Sequence, residues 1–175
     1  MKYLIGITGY KQSGKDTAFQ FLSQYLQPYV KLAFADALKQ EVAELFGGSV
    51  ASIEANKNSH LVRHVLQFWG QYQKTQFGDN YWVDKVKAKI EAAPDNAFIF
   101  ITDVRFPYEC LEDMCTIKVE RVGQINTDYH PSETSVDRIH PSYHLSNSGV
   151  HLRDFERECK WMAGFIREFF RIPVV

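Results

Sequence analysis

The run Gly9-Tyr10-Lys11-Gln12-Ser13-Gly14-Lys15-Asp16-Thr17 restricts what this chain can fold into more than any other segment. It follows the apolar stretch Tyr3-Leu4-Ile5-Gly6-Ile7 and leads into residues with helical periodicity. Gly9, then four residues, then Gly14-Lys15 matches a loop that cradles phosphate, a pattern that ends in Ser or Thr. Here Asp16 holds the last position and Thr17 comes one residue late. Backbone N–H groups of such a loop, with the N-terminus of the next helix, form an anion cradle. Lys15 adds a mobile charge for the β and γ phosphates. The competing interpretation is a glycine-rich turn that binds nothing, and the strand-loop-helix context weighs against it.

A chain of 175 residues is expected to form a single domain, 1–175, around one substantial core. Its hydrophobic fraction of 45% and charged fraction of 23% fit a soluble globular protein rather than a disordered one. The net charge of −1 leaves no global basic field, so no nucleic-acid partner is expected and any anion must be held locally. Cys110, Cys115 and Cys159 are odd in number and lack C-x-x-C spacing. They read as small buried hydrophobes in a reducing, cytoplasmic setting. No basic-then-apolar signal segment opens the chain, and no apolar run approaches the roughly 18 residues of a membrane span.

Periodicity gives alternating strands and helices. Strands are expected at 3–8, 30–34, 97–103 and 116–122, and helices at 15–26, 36–46, 61–76, 81–92, near 107–113 and at 152–170. The polar residues 49–60 read as a loop. On the last helix Phe155, Trp161, Phe165 and Phe169 are the expected core contacts. Residues 123–144, rich in His, Pro, Ser and Asp, form a loop long enough to be a lid. The alternation implies a three-layer α/β domain with a mainly parallel sheet flanked by helices.

Three further groups carry chemistry. Asp103 ends the most apolar strand and Arg105 follows it, which puts both near the loop, because ligands gather at the carboxyl ends of parallel strands. Arg105 can grip a phosphate bidentately; a surface ion pair with Glu109 or Asp113 is the alternative. Arg63 and Gln67 share a helix face that suits a phosphate and a base edge, or simply solvent. His130-Pro131-Ser132-Glu133 lies within the expected lid, flanked by Arg121 and Arg138. The spacing of His130, His140, His144 and His151 matches no zinc pattern.

These residues resemble a known family. Gly-Tyr-Lys-Gln-Ser-Gly-Lys-Asp-Thr is similar to the phosphate loop of bacteriophage-type deoxynucleoside monophosphate kinases, in which Gly-Lys-Asp-Thr is common. Phe34–Lys39, Arg63–Gly70, Tyr81-Trp82-Val83, Asp103–Glu109, His130–Glu133 and Ser146–Gly149 resemble further family segments in the same order. The resemblance implies a P-loop NTPase fold with a phosphate loop at 9–17, an acceptor-binding helical region at about 36–92 and a lid at about 123–144. It implies ATP-dependent phosphorylation of (deoxy)nucleoside monophosphates with ATP and Mg²⁺.

Carried over by position, Lys11, Gln12, Gly14, Lys15, Asp16, Thr17 and Asn147 surround ATP. Asp16 and Thr17 are the candidate Mg²⁺ ligands. Lys39, Arg63, Gly70, Trp82, Asp103, Arg105 and Glu133 form the monophosphate site, and Lys15, Asp16 and Arg105 act in transfer. Asp16 meets the metal or orients the acceptor; Trp82 lines the base pocket or belongs to the core. The resemblance also implies a possible homodimer and, for a phage protein, the host cytoplasm. A P-loop kinase for another small acceptor, such as phosphomevalonate or dephospho-coenzyme A, and a non-catalytic nucleotide-binding module are the alternatives.

Overall fold

The computed structural model describes residues 1–57 and 59–172. Five strands, β1 (Tyr3–Thr8), β2 (Tyr29–Leu32), β3 (Phe98–Ile101), β4 (Cys115–Arg121) and β5 (Tyr143–Asn147), form one sheet in the order β2-β3-β1-β4-β5. The sheet is all-parallel, with Tyr3 opposite Phe98, Ile5 opposite Cys115 and Ile117 opposite Tyr143. Interior strands of a parallel sheet are covered on both faces, which is why β1 and β3 read as near-continuous apolar runs. All four residues of β3 are buried.

Helices α1 (Lys15–Tyr25) and α7 (Leu152–Phe169) pack on this sheet. Ile5, Ile7, Phe100, Ile117 and Val119 meet Ala18 and Leu22 of α1 and Phe155, Cys159, Met162 and Ile166 of α7 in one apolar cluster. Each large side chain so buried is worth roughly 1.5–3 kcal/mol. Phe19 meets Phe100 edge-on at 5.3 Å. Cys115 and Cys159 belong to this core as free thiols, and burial pushes both up to about 12. The class is therefore α/β with a parallel sheet and seven α-helices among the described residues, consistent with a P-loop NTPase-like fold.

The chain forms two compact units. One is built from the chain up to Lys31 and from Ala93 onward; the other is Leu32–Ala92. The second unit consists of helices α2 (Phe34–Leu45), α3 (Val50–Ala55), α4 (His60–Phe77) and α5 (Tyr81–Ala92). A polar hub ties three of them together. The Glu41 carboxylate accepts from Trp69 Nε1 (3.0 Å), Gln73 Nε2 (2.8 Å) and Tyr81 OH (2.7 Å), and pairs with Lys85 Nζ at 2.8 Å. Burial alone would raise Glu41, but hydrogen bonds from Lys85, Tyr81, Gln73 and Trp69 outweigh it and bring the carboxyl down to about 2.

Several expected elements need correction. The strand expected at 30–34 spans Tyr29–Leu32, because Phe34 already opens α2. The loop expected at 49–60 contains α3, started by Ser49, whose hydroxyl accepts the Ser52 N–H at 3.1 Å. The helix expected near 107–113 is a single 3₁₀ turn, Pro107–Glu109. The loop expected at 123–144 holds the short helix α6 (Pro131–Thr134), a 3₁₀ turn at Ser135–Arg138 and the start of β5. On α7, Phe155 is buried as expected, but Trp161, Phe165 and Phe169 are 59%, 48% and 40% exposed. The stripe that packs inward is Phe155, Cys159, Met162, Ala163 and Ile166.

Candidate functional site

Parallel strands end on one side, and the candidate site is built there. The loop joins β1 to α1, Asp103 follows β3, Arg121 closes β4 and Asn147 closes β5. Gly9 takes φ +137°, and a Cβ on it would lie 2.3 Å from the Val119 carbonyl oxygen, so a side chain cannot fit where the loop crosses β4. Gly14, at φ +108°, opens α1 without any side-chain cap. The first-turn N–H groups of α1 therefore keep the capacity to meet an anion.

A cavity of about 320 Å³ sits at this helix start, lined by Gln12, Gly14, Lys15, Asp16, Thr17, Arg121 and Asn147. The Asn147 amide donates to the Ser13 carbonyl at 2.9 Å, and its oxygen accepts the Gly149 N–H at 3.0 Å. This side chain thus holds the end of β5 against the loop. Ser13 Oγ and Thr8 Oγ1 are buried with no hydrogen-bond partner among the described residues. Buried hydroxyls left unpaired are costly, and a bound phosphate or water would satisfy them.

Lys15 Nζ donates to the carbonyls of Gly9 (2.8 Å) and Tyr10 (2.7 Å). Burial, and next the nearby Arg105 guanidinium, depress its ammonium from 10.5 to about 8. A second cation converges on the same carbonyl: Arg105 Nη1 lies 3.4 Å from Gly9 O. That guanidinium pairs with Glu133 Oε1 at 2.6 Å, while Glu133 Oε2 accepts the Lys11 N–H at 2.8 Å. Glu109 plays a different part from the surface ion pair considered above. Its carboxylate accepts the backbone N–H groups of Arg105 (2.6 Å) and Phe106 (3.1 Å), shaping the chain that presents Arg105. Tyr10 OH donates to Asp137, and this bond, followed by burial, raises the phenol to about 12.

The structure thus brings Lys11, Gly14, Lys15, Arg105, Glu133 and Asn147 together around the loop, with Gln12, Asp16 and Thr17 on the cavity wall. Asp103 is half-buried just beyond β3, near enough to raise Lys15 electrostatically. Lys39, Arg63, Gly70 and Trp82 belong to the helical unit. There Lys39 pairs with Glu54 at 2.7 Å, and Trp82 is 8% exposed with its indole N–H donated to the Gly70 carbonyl at 3.1 Å. Arg63 is exposed and has no acidic partner within ion-pair distance among the described residues.

Arg121 is the cavity residue that the sequence assigns to no ligand. The available signal is its position at the carboxyl end of a strand beside β1, the argument already applied to Arg105. Among the described residues no cluster of three or more His, Cys, Asp or Glu could hold a metal by itself. Asp16 and Thr17 offer oxygens on the wall of this cavity, donors of the kind a hard cation such as Mg²⁺ takes. No described helix is long and apolar enough to cross a membrane.

The fold is of α/β class with an all-parallel sheet, consistent with a P-loop NTPase-like fold. A protein of Acanthamoeba polyphaga mimivirus named "Putative deoxynucleotide monophosphate kinase" is 28% identical to this chain, over 78% of this chain and 83% of that protein. No family model matches the chain.

Proposed function

We propose that this protein is a kinase that moves the γ-phosphoryl group of ATP onto a (deoxy)nucleoside monophosphate. The observation that carries this reading is the convergence of Lys15 and Arg105 on the Gly9 carbonyl, one cation from the loop and one from beyond β3. The name of the mimivirus relative points the same way. Phosphoryl transfer needs little covalent chemistry from a protein; positioning and charge neutralisation supply most of the rate. Lys15 is half-buried and partly desolvated, so its charge would act on the transferring group with less screening than in bulk water. Arg105 holds the acceptor phosphate bidentately, which a lysine cannot do.

Asn147 keeps the β5 end on the loop and so fixes the donor side of the cavity. Mg²⁺ would be held by Asp16 or Thr17 with phosphate oxygens, and would neutralise charge on the transferring group. In this reading Asp103 adds to the acceptor grip of Arg105, and Lys39, Arg63, Gly70 and Trp82 of the helical unit are the further acceptor residues that the resemblance implies. Lys15→Ala is the test. In a coupled assay of ADP formation it removes transfer, by at least a hundredfold, while the unfolding transition stays cooperative. Unchanged turnover ends the kinase reading.

A further inference from the structure

Glu133 is 6% exposed, and its two oxygens are divided between two donors of the kind that recognise phosphate. One is the Arg105 guanidinium at 2.6 Å and the other is the backbone N–H of Lys11, inside the loop, at 2.8 Å. A guanidinium facing a loop N–H is an anion grip, and here a carboxylate of the chain itself fills it. The segment that carries Glu133 is tied to the same loop residues twice more. Gln124 Nε2 donates to the Lys11 carbonyl at 2.6 Å, and Asp137 accepts from Tyr10 OH. On the cavity side the charges are open: Arg121 has no acidic partner within ion-pair distance among the described residues.

We propose that Glu133 is a built-in competitor for phosphate, holding Arg105 and the Lys11 N–H and leaving when a polyphosphate enters the loop. A polyphosphate and the Glu133 carboxylate would call on the same donors, Arg105 and the loop N–H of Lys11, and like charges brought to one partly buried grip repel. Departure of Glu133 releases Arg105 for a second phosphate group and frees residues 124–137 to move. Binding of the donor thereby raises affinity for the acceptor, and the coupling runs equally in the other direction. This inference rests on the reading of the loop as a donor site beside an acceptor grip. It differs from a role for Glu133 as a ligand of the acceptor.

The probe is inorganic tripolyphosphate, which requires the loop but no phosphoryl transfer. Calorimetric titration of the whole chain compares the wild type, Glu133→Gln and the exposed-carboxylate control Glu112→Gln. Glu133→Gln binds roughly tenfold more tightly, the scale of one charge-assisted hydrogen bond removed from competition, and Glu112→Gln binds as the wild type does. Hydrogen exchange on the wild type gives a reading independent of the variant's folding. With saturating tripolyphosphate the amides of 132–138 lose protection. Equal or weaker binding by a folded Glu133→Gln, or unchanged or greater protection of 132–138, overturns the proposal. Failure of tripolyphosphate to bind any form overturns the phosphate-loop reading itself. A protein that binds it as described yet transfers no phosphoryl group leaves the latch standing and ends the kinase reading alone.

Discussion

Lys15 permits a quantitative test of the anion binding proposed for the loop. In the free protein its ammonium is depressed from 10.5 to about 8, first by burial and then by Arg105. At 1.36 kcal/mol per pH unit this difference amounts to about 3 kcal/mol, an upper bound because the side chain is only half-buried. A polyphosphate beside Nζ restores the charge by direct attraction, so binding above pH 8 takes up a proton. ADP is the suitable ligand, since its terminal phosphate, with a pKa of about 6, is fully ionised there. The dissociation constant should stay nearly level from pH 7 to 8 and then rise by up to tenfold per unit. Calorimetry in two buffers of different ionisation enthalpy should find proton uptake near zero at pH 7 and approaching one at pH 9. Lys15→Met should bind ADP weakly with no such slope. A flat wild-type profile to pH 9.5, or the same slope in Lys15→Met, refutes the argument. The sign for folding follows as well. The folded state binds fewer protons than the unfolded chain between about pH 8 and 10.5, so stability of the free protein rises with pH there, and Lys15→Met removes that rise.

Glu41→Ala leaves the Trp69, Gln73 and Tyr81 donors without their acceptor and should cost about 3 kcal/mol in denaturant unfolding. Because the folded carboxyl titrates near 2, its contribution is complete above about pH 4.5 and is lost as pH falls towards 2, so Glu41→Gln should flatten the acid limb. Gly9→Ala drives a Cβ against the Val119 carbonyl at an unfavourable φ and should lower stability by about 2 kcal/mol or more, with ADP affinity falling too. Trp82→Phe loses the bond to the Gly70 carbonyl, which should cost about 1 kcal/mol in thermal unfolding. If Trp82 also touches the base, KM for the monophosphate rises in the same variant while KM for ATP does not.

The loop was legible because its chemistry is local: glycine spacing, a lysine and an apolar strand ahead of it. β3 was legible for a similar reason, since four consecutive buried residues leave an apolar run in the sequence. β5 was not. It buries only Leu145 fully, and an edge strand of the pattern Tyr-His-Leu-Ser-Asn carries almost no hydrophobic signal. α3 is six residues long, too short for periodicity to register, although Ser49 marked its start. On α7 the aromatic residues drew attention by size, whereas the buried stripe follows spacing and includes Cys159 and Ala163. Phe165 instead stacks on Tyr143 at 5.7 Å, towards the outer side of the sheet edge.

At the site, Asp103 and Arg105 could be placed by strand polarity alone. The engagement of Glu133 with the Lys11 N–H depends on a contact across 122 positions that no local pattern encodes. Arg121, which the sequence places only as a flank of the expected lid, lines the cavity in keeping with the same strand-end rule.

The central claim is transfer of a phosphoryl group to a nucleoside monophosphate. Its most direct measurement is the initial rate of ADP formation with ATP and Mg²⁺, across a panel of ribo- and deoxynucleoside monophosphates. ADP should form with at least one monophosphate, in step with its diphosphate, and should form slowly or not at all without an acceptor. ADP release that is independent of every monophosphate, or binding of ATP with no turnover on any of them, contradicts the claim.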